Sequence, residues 1–324
     1  MKKVAIASYT PFIKNIDDEI LKKYLLNAGA YVDIVSWDDK EYDWKSCDFI
    51  MIRSTWWSFK MLDKYKEWLD YLEYNSIKVL NDVSIIKSNI FKEKQIAFIK
   101  ENNIPIMRCE VFSRSDFEYM KKPEKTLLDT IKKYFGNLKK MYILKPTFSA
   151  MSNDTYIVDP FKINKDEIYK VYEDYESIFN ELLDKYTDRG IILQEFSTNI
   201  KNGEYGLSFL KGKFVIAAKK LYGVQYGKNL QDVEVDPKMI EFATDIVNKL
   251  PKEKIANARI DVIIDNNEYK IMELELADAD LYIRRIDDFP FWLDDEMEAI
   301  RISNKKGCHE KILIDFASEL LKEE

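Results

Sequence analysis

The sequence predicts a mixed α/β protein, and three observations support that prediction. Apolar strand runs alternate with amphipathic helices at the start of the chain, a pattern typical of a small parallel sheet. Two strands in which charged and apolar residues alternate follow much later, at 258–264 and 271–276. With 324 residues, 46% of them hydrophobic, the chain is long enough for two or three domains with cores of their own.

The N-terminal elements follow one another in strand–helix order. The first helix ends at a glycine, Gly29, as helices commonly do. After the fourth strand the pattern stays helical over 84–100 and stops at the Asn-Asn-Ile-Pro of 102–105, which suggests a domain boundary. The predicted strands are 4–7, 31–36, 49–52 and 78–80, and the predicted helices are 17–27 and 64–74.

The rest of the chain mixes strands and helices without an internal repeat. Residues 206–220 are typical of two strands paired around Lys211-Gly212. Further strands are predicted at 141–144 and 190–195, and further helices at 167–186, 239–250 and 312–321. We therefore predict three domains, at 1–83, 84–188 and 189–324.

The composition excludes several classes of function. A net charge of −7 argues against a general nucleic-acid or anionic-membrane binder, because both need basic surface. No apolar run reaches membrane-spanning length, and the run after Met1-Lys2-Lys3 is too short for a signal core. Cys47, Cys109 and Cys308 lack metal-binding spacing and are typical of reduced thiols, so we expect a cytoplasmic protein. The single histidine, His309, argues against histidine-based acid–base or triad chemistry.

The two late strands carry acids that share one face. Asp261 and the pair Glu273 and Glu275 converge when the strands pair around the turn at 265–267. Three carboxylates on one face repel each other unless a cation lies among them, and hard oxygen ligands suit a divalent ion. Mg²⁺ also takes oxygens from water and phosphate, which indicates nucleotide chemistry. A ribbon with a solvated acidic face is the alternative, and the residues alone leave both open.

A lysine at a strand end precedes a loop suited to phosphate. Lys145 follows the apolar run 141–144, and residues 147–155 are mainly small and polar. An ammonium group beside such a loop suits phosphate, because small residues let backbone N–H groups approach closely. The loop contains no glycine and is therefore not a Walker loop. An ordinary surface turn is the alternative.

Three other strand ends offer groups that suit a nucleotide. Gln194-Glu195-Phe196 ends a buried strand and can present backbone N–H and C=O groups to a flat heterocycle. Glu204, beside Gly203, can accept hydrogen bonds from ribose hydroxyls. Lys219 and Lys220 end another strand, and alternation lets only one of them face inward. A solvated strand end is the alternative in each case.

The order of these features resembles the ATP-grasp superfamily over nearly the whole chain. A helix lysine, Lys92, is followed by Lys145, Gln-Glu-Phe, Gly-Glu, Lys220, Arg-x-Asp and Glu-x-Glu. The chain is most similar to the group around O-ureido-D-serine cyclo-ligase and more distantly resembles D-alanine–D-alanine ligases, glutathione synthetases and ribosomal-protein glutamate ligases. The similar segments are 48–56, 80–81, 89–92, 145–146 and 272–276. The chain departs from these relatives at Asp278-Ala279, where they have Glu-Pro, and in the glycine-free loop.

The resemblance implies an ATP-grasp fold, in which a small N-terminal parallel α/β domain precedes two α+β subdomains that clasp the nucleotide. It implies ATP and one or two Mg²⁺ ions, or Mn²⁺ in their place, as cofactors. Asp261, Glu273 and Glu275 would bind the metal, and Arg259 and Lys145 would be catalytic, Arg259 by stabilising an acyl phosphate or its tetrahedral successor. The implied nucleotide contacts are Lys92 and Lys145 to phosphate, Gln194 with backbone groups of Glu195 and Phe196 to adenine, Glu204 to ribose, and Lys220, or Lys219 beside it, to the triphosphate.

The implied function is ATP-dependent ligation of a carboxylate to an amine through an acyl phosphate, with release of ADP and phosphate. This chemistry needs no enzyme nucleophile, in agreement with the lack of a Ser-His or Cys-His arrangement. The partners would be a small-molecule acid and amine, amino-acid-like or peptide-like, with no nucleic acid and no membrane; a homodimer is a common default. A small-molecule kinase and a non-catalytic ATP-binding protein on the same fold are the alternatives.

Substrate recognition is expected from the N-terminal domain and the last segment. Arg53 and Trp56 follow the strand 49–52, and ligands bind beyond the carboxyl ends of parallel strands. Arg53 could hold a substrate carboxylate and Trp56 could form a wall, or Trp56 and Trp57 could pack between domains. Arg284 is a second anion-binding candidate, and its alternative is an ion pair with the acids at 287–288 or 294–295.

Overall fold

The computed structural model describes residues 1–120, 126–150, 152–160, 175–186, 188–222, 230–285 and 308–322. The chain divides into two compact units, the first made of Met1–Ile90 and Ile200–Glu324 and the second of Phe91–Asn199. None of the described helices has the length and apolar character that a membrane crossing requires.

The described residues contain strands β1 to β13 and helices α1 to α9, together with short 3₁₀ turns. The strands are β1 Lys3–Ser8, β2 Tyr31–Ser36, β3 Phe49–Ile52, β4 Val79–Leu80, β5 Cys109–Phe112, β6 Tyr142–Pro146, β7 Tyr156–Val158, β8 Ile191–Glu195, β9 Glu204–Leu210, β10 Lys213–Lys220, β11 Leu230–Asp232, β12 Asn257–Asp265 and β13 Glu268–Glu275. The helices are α1 Ile16–Asn27, α2 Leu62–Tyr74, α3 Val83–Asn89, α4 Lys92–Glu101, α5 Arg114–Met120, α6 Leu127–Phe135, α7 Tyr175–Lys185, α8 Pro237–Asn248 and α9 Cys308–Lys322.

The predicted N-terminal parallel sheet is confirmed. Its strand order is β2-β1-β3-β4, and every neighbouring pair is parallel. The central strands β1 and β3 are buried over almost their whole length, as expected for strands covered on both faces. Helix α1 begins after Asn15, whose side chain accepts hydrogen bonds from the N–H groups of Asp17 and Asp18. This cap fixes the two aspartates in the first turn, where they contribute to the site described below.

The first unit also contains a five-stranded antiparallel sheet of order β11-β10-β9-β12-β13. The predicted strand pair within 206–220 is confirmed, because β9 and β10 pair around Lys211 and Gly212, both with positive φ. Helix α9 closes the core of this unit. Its Leu313, Phe316 and Leu320 pack in one apolar cluster with Ile20 and Leu21 of α1.

The second unit has an antiparallel sheet of order β5-β8-β6-β7 packed against helices α6 and α7. Helix α6 begins with a capping box, in which Thr126 and Asp129 exchange side-chain and backbone hydrogen bonds. It ends at Gly136, which has φ of 67°. Strands β5 and β7 and helices α5 and α6 were not predicted from the sequence, and each of them is only three to nine residues long. Of the predicted helix 167–186, the structure describes the part from residue 175 onwards as helical.

The helical stretch predicted over 84–100 is two helices, α3 and α4. They are separated at Ile90 and Phe91, where the chain passes from the first unit to the second. Asn89 at the end of α3 is held by the backbone of Leu274 in the first unit, whereas the N–H of Lys92 donates to Thr147 in the second. Each helix is therefore anchored in its own unit, and these anchors override a continuous helix propensity.

The division into units differs from the three domains predicted at 1–83, 84–188 and 189–324. The predicted first and third domains lie together in the first unit. Strand β8, which the prediction assigned to the third domain, pairs with β5 and β6 of the second unit. The chain leaves the second unit near residue 199. The three-domain description itself stays a prediction.

Candidate functional site

A hairpin of β12 and β13 carries the acidic residues of the candidate site. Its turn is Asn266-Asn267, and both residues have positive φ, which asparagine tolerates. The register places Asp261 opposite Glu273 and Arg259 opposite Glu275. Strand β12 lies between β13 and β9, so the site is built on a central strand with neighbours on both sides.

Asp261, Glu273 and Glu275 form a triad of carboxylates. One oxygen from each residue lies within 4.8 Å of the others. Opposite ligands of Mg²⁺ are about 4.2 Å apart, because each metal–oxygen bond is about 2.1 Å long. Small side-chain movements would therefore bring these hard oxygen ligands around one divalent ion, and the residues fit the metal. The convergence expected from strand alternation is observed, and metal binding by the triad stays a prediction.

Two cations neutralise the buried member of this triad. Asp261 is fully buried and accepts hydrogen bonds from Arg259 Nε and Nη2 at 2.7 and 2.8 Å. Lys220 Nζ donates to Asp261 Oδ2 at 2.5 Å, the oxygen that also accepts from Arg259 Nη2, and it lies 2.6 Å from Glu204 Oε1. Burial opposes ionisation, but Arg259 and Lys220 hold the pKa of Asp261 below its ordinary value. The carboxylate is therefore charged at neutral pH.

Lys220 bridges two predicted site residues, Glu204 on the ribose side and Asp261 of the metal triad. Burial and Arg259 act to lower its pKa, yet Asp261 and Glu204 raise that pKa well above the ordinary value. Burial raises the pKa of Glu204 despite the attraction of Lys220. Lys219, the alternative, points elsewhere, and its Nζ lies 5.6 Å from the centre of the Tyr205 ring. Lys220 is thus the inward-facing member of the pair.

The turn after β13 holds the other side of Arg259. Arg259 Nη1 donates to the backbone oxygen of Asp280 at 3.0 Å. The carboxylate of Asp280 accepts two hydrogen bonds from Arg284, at 2.7 and 2.9 Å. Arg284 also contacts Asp17, whose carboxylate accepts the N–H groups of Ile283 and Arg284 at 3.0 and 2.9 Å. Helix α1 therefore supports the turn that orients Arg259.

Two of the predicted substrate residues are engaged inside the protein. Arg284 pairs with Asp17 and Asp280, while the acids proposed as its alternative partners lie outside the described residues. Arg53 is 2% exposed, donates to Ala279 O at 2.9 Å, and has Nε 3.5 Å from Asp18. These contacts give both guanidinium groups structural partners, and their role toward substrate stays a prediction.

Trp56 lies half-buried at the carboxyl edge of the parallel sheet. Its indole N–H donates to the backbone oxygen of Asp278 at 2.8 Å, and its ring meets Phe12 edge-on at 5.1 Å. Thr55 donates to the carboxylate of Asp278 at 2.8 Å. This aromatic surface is therefore tied to the segment that follows the metal strands, and the predicted wall against substrate is not tested by these contacts.

The residues predicted for phosphate lie in the second unit. Lys92 begins α4, its N–H donates to Thr147 O at 2.8 Å, and its Nζ donates to Ser149 O at 3.2 Å. Lys145 lies on β6, opposite Ile192 of β8. The structure places Lys92 beside the small polar loop that follows Lys145, and the phosphate role of both lysines stays a prediction.

The predicted adenine contacts lie at the end of β8. Gln194 is 3% exposed, and the N–H groups of Glu195 and Phe196 donate to Arg108 O and Met141 O at 2.8 and 2.9 Å. The carboxylate of Glu195 pairs with Lys140 at 2.7 Å. Both N–H groups are thus used within the unit, and adenine recognition here stays a prediction.

Sequence reasoning missed several residues that shape the site. Asp17 and Asp18 are typical of first-turn acids on an exposed helix end, so nothing local distinguishes them from such residues. Asn81 and Asn89 lie in segments similar to relatives, but their partners are far away in the sequence. The Asp-x-Asp of Asp278 and Asp280, separated from Glu-x-Glu by two residues, was a visible signal.

Comparison with known proteins agrees with this architecture. Residues 4–81 match the family described as D-cycloserine synthetase DcsG, N-terminal domain. No curated protein sequence matches the chain. Among solved structures, D-cycloserine synthetase DcsG is similar with a TM-score of 0.71 and 14% identity, over 94% of this chain and 99% of that one.

Two other kinds of ligase are also similar in structure. A D-alanine–D-alanine ligase from Bacillus anthracis complexed with ATP has a TM-score of 0.62 and 13% identity, over 98% of this chain and 97% of that one. The ATP-grasp ligase PsnB complexed with a precursor peptide and AMPPNP has a TM-score of 0.55 and 12% identity, over 98% and 97%. The chain has the ATP-grasp fold, and the fold predicted from the sequence is confirmed.

Proposed function

We propose that this protein is an ATP-dependent carboxylate–amine ligase that forms a carbon–nitrogen bond through an acyl phosphate and releases ADP and phosphate. The observation that supports the proposal most strongly is the triad of Asp261, Glu273 and Glu275. Arg259 lies opposite Glu275 in the same strand pair. Known structures similar along almost the whole chain are ligases, one of them complexed with ATP. The proposal extends their shared chemistry to this chain.

The acid substrate must first be activated, because a carboxylate is a poor acyl donor. Transfer of the ATP γ-phosphoryl group converts it to an acyl phosphate, whose leaving group is phosphate. Bound Mg²⁺ would supply positive charge at the phosphate oxygens during this transfer. Asp261, Glu273 and Glu275 would hold the ion, and Lys92 and Lys145 would neutralise phosphate charge.

The amine then attacks the acyl phosphate, and negative charge develops on the former carbonyl oxygen. Arg259 would stabilise that charge, and its guanidinium is fixed by Asp261, by the Asp280 carbonyl and by Glu275 at 3.5 Å. A fixed guanidinium stabilises the transition state without reorganising during the reaction. Glu204 would bind the ribose, and Lys220 would contact the triphosphate.

The substrates we propose are small acids and amines of amino-acid or peptide-like character. Similar proteins include a D-cycloserine synthetase, a D-alanine–D-alanine ligase and a ligase complexed with a precursor peptide. Ring closure within one molecule is included in this proposal. A cytoplasmic location and a homodimer, both expected from the sequence, stay predictions.

The test is ADP release from Mg²⁺–ATP in the presence of pooled amino acids and small carboxylic acids. Wild type is compared with Glu273→Gln and with a control on the same strand, Glu268→Gln, whose exposed side chain lies at the far end of β13. We expect release that depends on both an acid and an amine, lost in Glu273→Gln and retained in the control. Melting temperatures establish that all three proteins are folded.

Other outcomes distinguish the alternative functions. ADP release that needs an acceptor but no amine would indicate a kinase. A Mg²⁺-dependent rise in melting temperature with ATP, but no ADP from any pool, would indicate a non-catalytic ATP-binding protein. Neither binding nor release would overturn the proposed function.

A further inference from the structure

Tyr282 is held in an unusual conformation beside the candidate site. It lies in the turn after β13, is 1% exposed, and has φ of 58°, a left-handed value that a bulky residue adopts only at an energetic cost. The turn fixes it from both sides. Its N–H donates to Asp280 Oδ1 at 3.2 Å, and its carbonyl accepts the N–H of Arg285 at 2.9 Å.

The Tyr282 ring contacts two guanidinium groups. The carbon at the centre of the Arg259 guanidinium lies 5.5 Å from the ring centroid, and that of Arg284 lies 5.8 Å away. Both distances are within the range of a cation–π interaction. The ring therefore packs against the arginine predicted to act on the acyl phosphate.

The Tyr282 hydroxyl occupies space that a glycine leaves open. Gly206 on β9 lies opposite Asp261 on β12. A Cβ atom added at Gly206 would lie 2.5 Å from Tyr282 Oη and 3.0 Å from Asp261 Oδ1. The hydroxyl thus lies on the same face of the sheet as the metal triad, next to its buried member.

The hydroxyl is buried, and within the described residues it has no hydrogen-bond partner. Burial raises the pKa of Tyr282 even though Arg259 and Lys220 oppose the shift, so the group is a protonated donor. A buried donor without an acceptor destabilises a fold, and natural proteins keep few of them. A ligand that brings an acceptor would remove this cost.

We propose that Tyr282 is a further binding residue of this site, whose hydroxyl donates a hydrogen bond to an anionic phosphate oxygen of bound Mg²⁺–ATP beside Asp261. The inference rests on the proposed function and adds a phosphate contact to it. The cation–π contacts with Arg259 and Arg284 fix the ring, so the donor is oriented before the nucleotide arrives. The hydrogen bond to phosphate would supply the acceptor that the buried hydroxyl lacks within the described residues.

The test compares wild type with Tyr282→Phe, which removes only the hydroxyl. Melting temperature is measured without ligand, and the dissociation constant for Mg²⁺–ATP is measured by calorimetry. We expect a ligand-free melting temperature equal to or above that of wild type, together with an affinity weakened about tenfold, the effect of losing one hydrogen bond to a charged group. This combination separates a binding role from a structural one, which would lower the melting temperature.

Tyr269→Phe is the matched control. Tyr269 lies at the start of β13, next to the turn of the β12–β13 hairpin, and its hydroxyl donates to Asp236 at 2.7 Å. Its loss should leave the Mg²⁺–ATP affinity unchanged. Unchanged affinity in Tyr282→Phe as well would overturn the inference and leave the proposed function intact. Failure of wild type to bind Mg²⁺–ATP would overturn both.

Discussion

Arg259 and Asp261, two residues apart on β12, form a two-point ion pair within one strand. Arg259 Nε and Nη2 lie 2.7 and 2.8 Å from the two oxygens of Asp261. Both side chains point to the same face because strand side chains alternate. The planar guanidinium matches the carboxylate in both position and direction. One residue predicted to bind the metal thereby orients the residue predicted to act on the reacting oxygen.

Arg259→Lys should separate charge from orientation. A lysine keeps the positive charge but makes one contact with Asp261 in place of two and loses the contact with Asp280 O. We expect substrate-dependent ADP release to fall by about 100-fold or more, since a fixed donor to a developing oxyanion contributes on that order. Circular dichroism and the melting temperature report the fold. A rate near that of wild type would contradict the assignment.

Asp261→Asn should be strongly destabilising. Removing this fully buried charge leaves Arg259 and Lys220 without their shared partner, and breaking a buried ion pair from one side costs about 3–5 kcal/mol. The matched control is Asp265→Asn on the same strand, where the acid pairs with Lys270 at 2.7 Å in a more exposed position. Urea unfolding of both variants gives the comparison. An equal loss in the two would mean that the cluster around Asp261 has no special role in stability.

The acidic hairpin could be predicted because its information is local. Alternation puts Asp261, Glu273 and Glu275 on one face, and the Asn-Asn turn sets the register. The parallel N-terminal sheet was predictable for the same reason, since each strand and helix shows its own period. Such patterns specify what an element is and which face it buries.

The partners of isolated polar residues could not be predicted. Asp17 and Arg284 are 267 positions apart, and no pattern near either residue indicates the other. The break between α3 and α4 has the same origin, since the anchor of Asn89 on Leu274 is 185 positions away. Contacts of this kind depend on how the elements pack in three dimensions, and the local sequence pattern carries no information on that packing.

Asn81→Ala tests one of these long-range anchors. Asn81 is 1% exposed, and its amide nitrogen donates to Asn257 O and Leu276 O at 2.8 and 2.6 Å. Its oxygen accepts the N–H groups of Ala256 and Asn257. Alanine would leave these buried backbone groups without partners, so we expect unfolding free energy to fall by about 3 kcal/mol or more.

The control for this variant is Asn75→Ala, since Asn75 donates to Tyr71 O in an exposed position. Its effect on urea unfolding should be within about 0.5 kcal/mol, as is usual for surface substitutions. If Asn81→Ala were as mild as the control, solvent would have to reach the backbone groups that Asn81 contacts and replace its hydrogen bonds.

Asp18 should make stability depend on pH. Burial raises its pKa to about 7, although Arg53 and the Ser54 hydroxyl partly oppose the shift. The folded protein keeps this proton to higher pH than the unfolded chain, so the contribution to stability is complete below the usual aspartate pKa and is lost as the pH rises toward 7. The loss attributable to this group is at most about 4 kcal/mol.

The measurement is urea unfolding of wild type and Asp18→Asn between about pH 4 and pH 8, the window in which the two states differ in protonation. We expect wild type to lose more stability than the variant as the pH rises. Asp63→Asn, an exposed first-turn acid of α2, should keep the wild-type profile. Parallel profiles for wild type and Asp18→Asn would show that Asp18 does not titrate in this range.

Gly206→Ala should disturb the site through Tyr282. The added Cβ would lie 2.5 Å from Tyr282 Oη and 2.8 Å from its Cε2, so the ring or the strand must shift, at a cost of about 1–3 kcal/mol. Combining it with Tyr282→Phe removes the closest of these atoms and should recover part of the loss, which makes the two substitutions non-additive. Gly212→Ala is the control, because no atom of the described residues lies within 4 Å of its added Cβ and the φ of 73° is what opposes the substitution. Additive effects of Gly206→Ala and Tyr282→Phe on urea unfolding would show that the hydroxyl does not fill the space beside Gly206.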